Sequence, residues 1–127
     1  MSARITVGRV ELHAVQDLAI SGSRSFMYPD VDEAQWEPWK RDFAHHFNPR
    51  GNLTLNVGTF VLRSGDETIL IDTGVGNKPR EGWPPGNLLE HLREQANLAP
   101  EDVTLVVSTH LHLDHVGWNT VARDPGF

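Results

Sequence analysis

Apolar and polar residues alternate along two stretches of the chain, and this alternation predicts β-strands. Residues 4–16 place apolar side chains at alternate positions with one slip around Gly8, which predicts one or two short strands and a bend. Residues 53–72 contain two more such runs, separated by the turn-forming sequence SGDE. This second stretch is typical of a β-hairpin.

A helical pattern and an apolar run follow the hairpin. Asn87 stands three residues before Glu90, as at many helix N-termini, and we expect the helix to end near Asn97. Residues 103–107 are almost all apolar, which is typical of a strand covered on both faces in a sheet flanked by helices. The apolar face of the predicted helix consists of Leu88, Leu89, Leu92 and Ala96.

The segment of residues 21–52 mixes Gly, Ser, Pro, Asn and charged residues with aromatic side chains. Pro38 should break or kink any helix in this segment. An aromatic stripe most often packs on a core, and a lid that faces a substrate is the alternative, because long loops in compact domains are often functional. Four aromatic residues have the spacing of one helical face: Trp36, Trp39, Phe43 and Phe47.

Composition limits the classes of function. The length of 127 residues fits one domain. The net charge of −6 has the wrong sign for a protein that holds nucleic acid through its phosphates. The chain has no cysteine, so a metal site would have to use His and Asp ligands. No run is apolar and long enough for a signal peptide or a membrane span, so we expect a cytoplasmic protein without a membrane partner.

The strongest chemical signal is STHLHLDHVGWN, residues 108–119. Read as an extended segment, it places His110, His112 and Asp114 on one side, with the intervening leucines facing the core. His115 follows Asp114 directly, so we expect the chain to turn there and its imidazole to point elsewhere. Two ligand directions predict two metal positions, His110 with His112 and Asp114 with His115, which could share a water that attacks a substrate.

A purely structural explanation of this cluster is weaker. Grouping three imidazoles with a carboxylate is unfavourable unless a cation binds them. The remaining histidines are expected to be solvated or structural rather than ligands: His13, His45, His46 and His91.

The motif H-x-H-x-D-H after an apolar strand resembles the metallo-β-lactamase fold superfamily. It is followed by Gly117 and preceded by Asp72-Thr73-Gly74 after a hairpin strand, which strengthens the resemblance. Within this superfamily, the sequence is most similar to lactonase-like and to organophosphate- or ester-hydrolase-like members. The resemblance covers residues 53–120 firmly and the N-terminal third loosely.

The resemblance implies an α/β fold, the N-terminal half of a four-layer αββα sandwich with a mostly antiparallel or mixed sheet and flanking helices. On this basis residues 1–127 are a partial domain. Residues 1–52 hold the N-terminal strands and the aromatic segment, and residues 53–127 hold the hairpin, helix, strand and metal-binding loop.

The resemblance also implies roles for site residues. His110 and His112 would bind a first zinc ion and Asp114 and His115 a second, with Asp114 also acting as the catalytic residue that orients the attacking water or moves its proton. Asp72 would support the metal-bearing loop without binding metal. Iron or manganese are alternatives to zinc, because His and Asp ligands discriminate weakly.

The second half of the family's fold supplies further His and Asp ligands, and residues 116–127 contain no histidine. We therefore expect a truncated half of a hydrolase, inactive alone, that acts on a small-molecule lactone, ester or phosphoester through a metal-activated water. The alternative is a non-catalytic remnant or interaction module that folds only with a partner or a second copy, as a homo-oligomer. Nuclease activity is disfavoured by the acidic balance.

Overall fold

The structure is a computed structural model that describes residues 3–78 and 82–121. The chain divides into two compact units, one within Met1–Leu18 and Val57–Phe127 and the other Ala19–Asn56.

The strands form one mixed five-stranded sheet with the order β1-β2-β3-β4-β5. The β1 and β2 strands pair antiparallel, as do β3 and β4, whereas β5 lies parallel to β4. The predicted mixed sheet of an α/β fold is therefore confirmed. The strands are β1 (Arg4–Val7), β2 (Val10–Gly22), β3 (Leu53–Ser64), β4 (Glu67–Ile71) and β5 (Leu105–Val107).

The predicted β3-β4 hairpin is present, and residues 4–16, predicted as one or two strands with a bend, begin two strands that also pair antiparallel. Val7 lies opposite Val10 and Ser64 lies opposite Glu67, so each pair of strands is joined by a two-residue turn. Gly65 has a φ of 60°, which a residue with a side chain rarely adopts. The alternation and the turn residues therefore predicted the pairing of β3 with β4 correctly.

The core of the first unit lies between helix α3 (Leu88–Ala96) and one face of the sheet. Val61 and Leu70 lie opposite each other in β3 and β4, and both are buried with Leu88 and Leu92 of the helix. Truncating Leu88 or Leu92 to alanine would lower the free energy of unfolding by about 2–5 kcal/mol. The helix ends at Asn97, whose φ of 47° terminates it as predicted.

The opposite face of the sheet carries an exposed apolar surface. Phe60, Ile71 and Val107 form one row across β3, β4 and β5 by their register. Phe60 is 49% exposed and Val107 is 41% exposed. The prediction that residues 103–107 form a strand covered on both faces is wrong for the described part of the chain, because Leu105, Val106 and Val107, which alternate between the two faces, are 49%, 40% and 41% exposed.

The second unit contains helices α1 (Arg24–Met27) and α2 (Glu33–Asp42). At the start of α2, the backbone N–H of Asp32 donates to Gln35 Oε1 at 2.9 Å, as in a capping box. The helix continues through Pro38 at the cost of one backbone hydrogen bond, so the expected break does not occur.

The aromatic residues of this unit do not form one helical stripe. Because α2 ends at Asp42, Phe43 and Phe47 lie outside it. Trp36 packs edge-on against Phe47 with ring centroids 6.3 Å apart, and Trp39 stacks on Phe43 at 5.7 Å. Within residues 3–78 and 82–121, every helix is too short or too polar to cross a lipid bilayer.

Candidate metal centre

Two loops lie side by side at one edge of the sheet. Because β4 and β5 are parallel, their carboxyl ends meet at the same edge, and residues 72–76 and 108–118 follow them. Thr73 N–H donates to the His115 carbonyl at 2.8 Å, and Gly117 N–H donates to the Gly74 carbonyl at 2.7 Å. These backbone bonds hold the H-x-H-x-D-H segment against the Asp-Thr-Gly segment.

The loops cross at a contact that only glycine permits. A Cβ at Gly117 would lie 1.9 Å from the carbonyl carbon of Val75, and one at Gly76 would lie 2.4 Å from the Gly117 oxygen. Glycine is therefore required at both positions for the loops to approach this closely.

The Asp72 carboxylate joins both loops. Its Oδ1 accepts the backbone N–H of Thr109 at 2.7 Å, and its Oδ2 lies 2.8 Å from Nδ1 of His115 and 2.8 Å from Oγ1 of Thr109. Burial raises the pKa of Asp72, but hydrogen bonds from His115 and Thr109 outweigh burial, so that this pKa lies below its usual value. The carboxylate is therefore ionised at neutral pH.

This carboxylate also fixes the tautomers of two histidines. An ionised carboxylate only accepts hydrogen bonds, so Nδ1 of His115 carries a proton and donates it to Asp72. The Thr109 hydroxyl uses its single proton on Asp72, so its oxygen accepts from Nδ1 of His110 at 2.9 Å. With Nδ1 of both rings engaged in these hydrogen bonds, Nε2 is the ring atom that a metal ion would use.

The histidines of the motif lie close together. The ring centroid of His110 is 4.7 Å from that of His112 and 3.9 Å from that of His115. Asp114 Oδ2 lies 3.3 Å from His115 Nε2. The His115 ring thus lies nearer to the His110 ring than the His112 ring does, and a separate direction for its imidazole stays a prediction.

The rings are brought together by a turn rather than by an extended strand. His115 N–H donates to the His112 carbonyl at 3.0 Å, which closes a turn over residues 112–115. Leu111 is 79% exposed and Leu113 is 53% exposed, so the prediction that these leucines face the core is wrong. The alternation rule fails because bonds to Asp72 and Thr73 curl the chain directly after β5.

The donor types suit a zinc ion, which proteins bind through imidazole and carboxylate groups. Within residues 3–78 and 82–121, however, no three or more His, Cys, Asp or Glu side chains are arranged to hold one ion together. Metal binding by His110, His112, Asp114 and His115 stays a prediction.

Sequence reasoning missed Asp17, which is completely buried in β2. Its Oδ1 accepts the backbone N–H of Leu88 at 2.7 Å, so Asp17 caps α3 from another element. The side chain of Asn87, the predicted cap, makes no such bond. A signal was present, since His13, Val15 and Asp17 alternate on the inward face of β2 and an aspartate there needs donors.

Comparison with known proteins supports the relationship that the motif indicated. The family model of the metallo-beta-lactamase superfamily matches residues 54–125, more than half of the chain. Metallo-beta-lactamase domain-containing protein 1 of Mus musculus is 55% identical over a match that covers 39% of this chain and 16% of that protein. The N-acyl homoserine lactonase AiiB of Agrobacterium fabrum is 33% identical over 51% of this chain and 29% of its own length.

Two solved structures share the fold. The hydrolase AbOPH of the beta lactamase superfamily aligns with a TM-score of 0.74 and 25% identity. AidC, a dizinc quorum-quenching lactonase in complex with a product, aligns with a TM-score of 0.73 and 24% identity. Each alignment covers 91% of this chain and 38% of the other, so the chain spans well under half of these proteins. The matched residues include both loops of the candidate centre, and this chain belongs to the metallo-beta-lactamase superfamily.

Proposed function

We propose that this chain supplies the metal-binding loop of a zinc-dependent hydrolase that acts on a lactone or a related ester or phosphoester. The observation that carries this proposal is the clustering of His110, His112 and His115 beside Asp114. The Asp72 carboxylate accepts a hydrogen bond from His115 on the side of the ring opposite to Nε2. Lactonases among both the relatives and the structural neighbours support the choice of substrate class.

The residues have separate roles in this proposal. His110 and His112 would hold a first zinc ion, and Asp114 and His115 would hold a second. When bound, two such ions supply an activated water and stabilise the leaving oxygen. Asp114 would also orient that water and accept its proton, because its carboxylate is half-buried at the edge of the cluster, with Oδ2 3.3 Å from His115 Nε2.

We further propose that the remaining ligands come from residues outside this chain. Two observations support this idea. No three His, Cys, Asp or Glu side chains of the described residues are arranged to hold one ion, and the row Phe60, Ile71 and Val107 leaves an apolar sheet face open to water. A second layer of structure on that face would bury it and could carry the other ligands.

The test is hydrolysis of a panel of lactones and aryl esters by the full open reading frame that contains this chain. We expect activity that is lost with chelator and restored by Zn²⁺. His112→Ala should abolish the activity, whereas His45→Ala, at an exposed position of the other unit, should not affect it. Activity that survives removal of metal, or survives His112→Ala, would overturn the proposal.

The second candidate is an interaction module that pairs with another copy through the open sheet face. The exposure of Phe60 (49%) and Val107 (41%) favours it. Sedimentation of the 127-residue chain separates the two ideas. If Phe60→Thr converts a defined dimer to a monomer while Phe26→Thr, at a residue 87% exposed, does not, self-association through this face is supported. A monomeric wild-type chain would exclude the homo-oligomer.

A further inference from the structure

The buried carboxylate of Asp17 binds segments that are far apart in the sequence. Its Oδ2 accepts the backbone N–H of Val75 at 2.7 Å, and its Oδ1 accepts Nε1–H of Trp118 at 3.2 Å. The bond from Leu88 N–H to Oδ1 adds the start of α3. Because a buried carboxylate is costly unless donors surround it, these bonds fix all three segments to β2.

Two glycines give the loops room to reach this carboxylate. A Cβ at Gly74 would lie 2.2 Å from Asp17 Oδ2, and a Cβ at Gly86 would lie 2.2 Å from Oδ1. No residue with a side chain could therefore stand at either position without moving Asp17. The loop that carries Asp72 is consequently seated directly on the Asp17 carboxylate.

Asp17 connects the two loops of the candidate centre at the end of their contact that is farthest from Asp72 in the sequence, where Val75 and Trp118 lie. The backbone bonds between the loops begin where Thr73 meets His115 and continue to Trp118 N–H, which donates to the Thr73 carbonyl at 3.1 Å. Beyond this point Val75 and Trp118 are joined through the two oxygens of Asp17. Without the carboxylate, Val75 and Trp118 would no longer share a hydrogen-bond acceptor.

We propose that Asp17 is a positioning residue for the metal centre. It fixes the distance between the loop that carries Asp72 and the turn that carries His115. It thereby helps to fix the orientation of the His115 imidazole, which Asp72 binds. This inference rests on the proposed function, because it assigns Asp17 a role in metal binding as well as in folding. Loss of an outer support typically lowers metal affinity by about 10–100-fold.

Asp17→Asn is the informative substitution. Asparagine keeps the size of the side chain but replaces one acceptor oxygen with an NH₂ group. That group would face an N–H donor, either Val75 on one side or Leu88 and Trp118 on the other. One loop anchor is therefore lost while the core volume is kept.

The experiment uses the product of the full open reading frame that contains this chain, and measures its affinity for Co²⁺ and the visible spectrum of the bound ion, which reports its coordination geometry. The matched control is Val61→Ala, which weakens the core without removing any of these hydrogen bonds. We expect Asp17→Asn to weaken Co²⁺ binding by about 10–100-fold and to change the spectrum. We expect Val61→Ala to lower the unfolding midpoint and to leave Co²⁺ affinity and spectrum unchanged.

Trp118→Phe is the second variant and removes the Nε1–H donor while keeping an aromatic ring, so it tests the proposal even if Asp17→Asn does not fold. It should weaken Co²⁺ binding by a smaller factor. The positioning role would be overturned if Asp17→Asn had the Co²⁺ affinity and spectrum of the wild type. If Asp17→Asn is unfolded, the same result for Trp118→Phe would overturn it. If the wild-type product of the full open reading frame binds no Co²⁺, that result would instead overturn the proposed function, which the inference requires.

Discussion

Asp72 and His115 are joined by a contact of 2.8 Å between Oδ2 and Nδ1, although 43 positions separate them in the sequence. The Thr109 hydroxyl donates to the same carboxylate, and its oxygen lies 2.9 Å from Nδ1 of His110, so Thr109 connects Asp72 to the His110 ring. One buried side chain thus orients two of the three imidazoles in the cluster. In metal sites, a carboxylate often fixes the orientation of histidine ligands through a hydrogen bond of this kind.

Asp72→Asn should weaken zinc binding by about 10–100-fold, because the amide supplies only one acceptor for the donors of Thr109 and His115. Zinc titration calorimetry of the full chain measures the effect. Asp66→Asn, in the exposed turn between β3 and β4, is the matched control and should bind zinc as the wild type does. Equal affinities for the two variants would remove Asp72 from this role.

Thr109→Val should release the ring of His110. The variant keeps the backbone bond to Asp72 but loses the hydroxyl that accepts from Nδ1, so the two His110 tautomers should both be populated. Nitrogen NMR of the imidazole measures the tautomer ratio. Thr109→Ser retains the hydroxyl and should keep the wild-type ratio, and a Thr109→Val spectrum identical to that of the wild type would contradict the relay.

Stability should depend on pH through Asp72. Burial raises its pKa, but the hydrogen bonds from His115 and Thr109 lower it further, so the folded-state pKa lies below the usual 3.8. The ionised carboxylate therefore contributes stability that is complete above the unfolded-state pKa and is lost as pH falls through the folded-state pKa. Urea unfolding with chelator, from about pH 6 to about pH 2, should show a steeper loss for the wild type than for Asp72→Asn. Parallel curves would contradict this assignment.

Gly117→Ala should disrupt the contact between the two loops. The new Cβ would lie 1.9 Å from the backbone of Val75, so the free energy of unfolding should fall by about 3 kcal/mol or more. Gly8→Asn is the control, since a Cβ at this position would meet no atom within 4 Å and asparagine tolerates the positive φ of Gly8, so it should cost about 1 kcal/mol or less. Urea unfolding measures both, and similar losses would show that no steric conflict exists at Gly117.

Local patterns predicted the elements whose causes are local. The β3-β4 hairpin follows from alternation and a glycine turn, and α3 follows from its apolar face and from Asn97. The exposure of β5 could not be predicted in the same way. An apolar strand indicates burial, but whether anything covers Leu105 and Val107 depends on residues beyond β5.

The candidate site was predicted in its residues but not in its conformation. Spacing identified His110, His112 and Asp114, whereas the turn that gathers the rings depends on bonds to Asp72 from a distant strand end. Asp17 was overlooked for the same reason. Its three partners lie 58, 71 and 101 positions away, and no local pattern specifies them.

Zinc binding by paired histidine variants tests the central claim most directly. The comparison uses the full chain with His110 and His112 both changed to alanine, and the same chain with His45 and His46 both changed. His45 and His46 also lie ring against ring, with centroids 4.1 Å apart, but outside the motif. We predict that the His45 and His46 variant binds zinc like the wild type and that the His110 and His112 variant does not. Equal zinc affinity in both variants would contradict the metal centre.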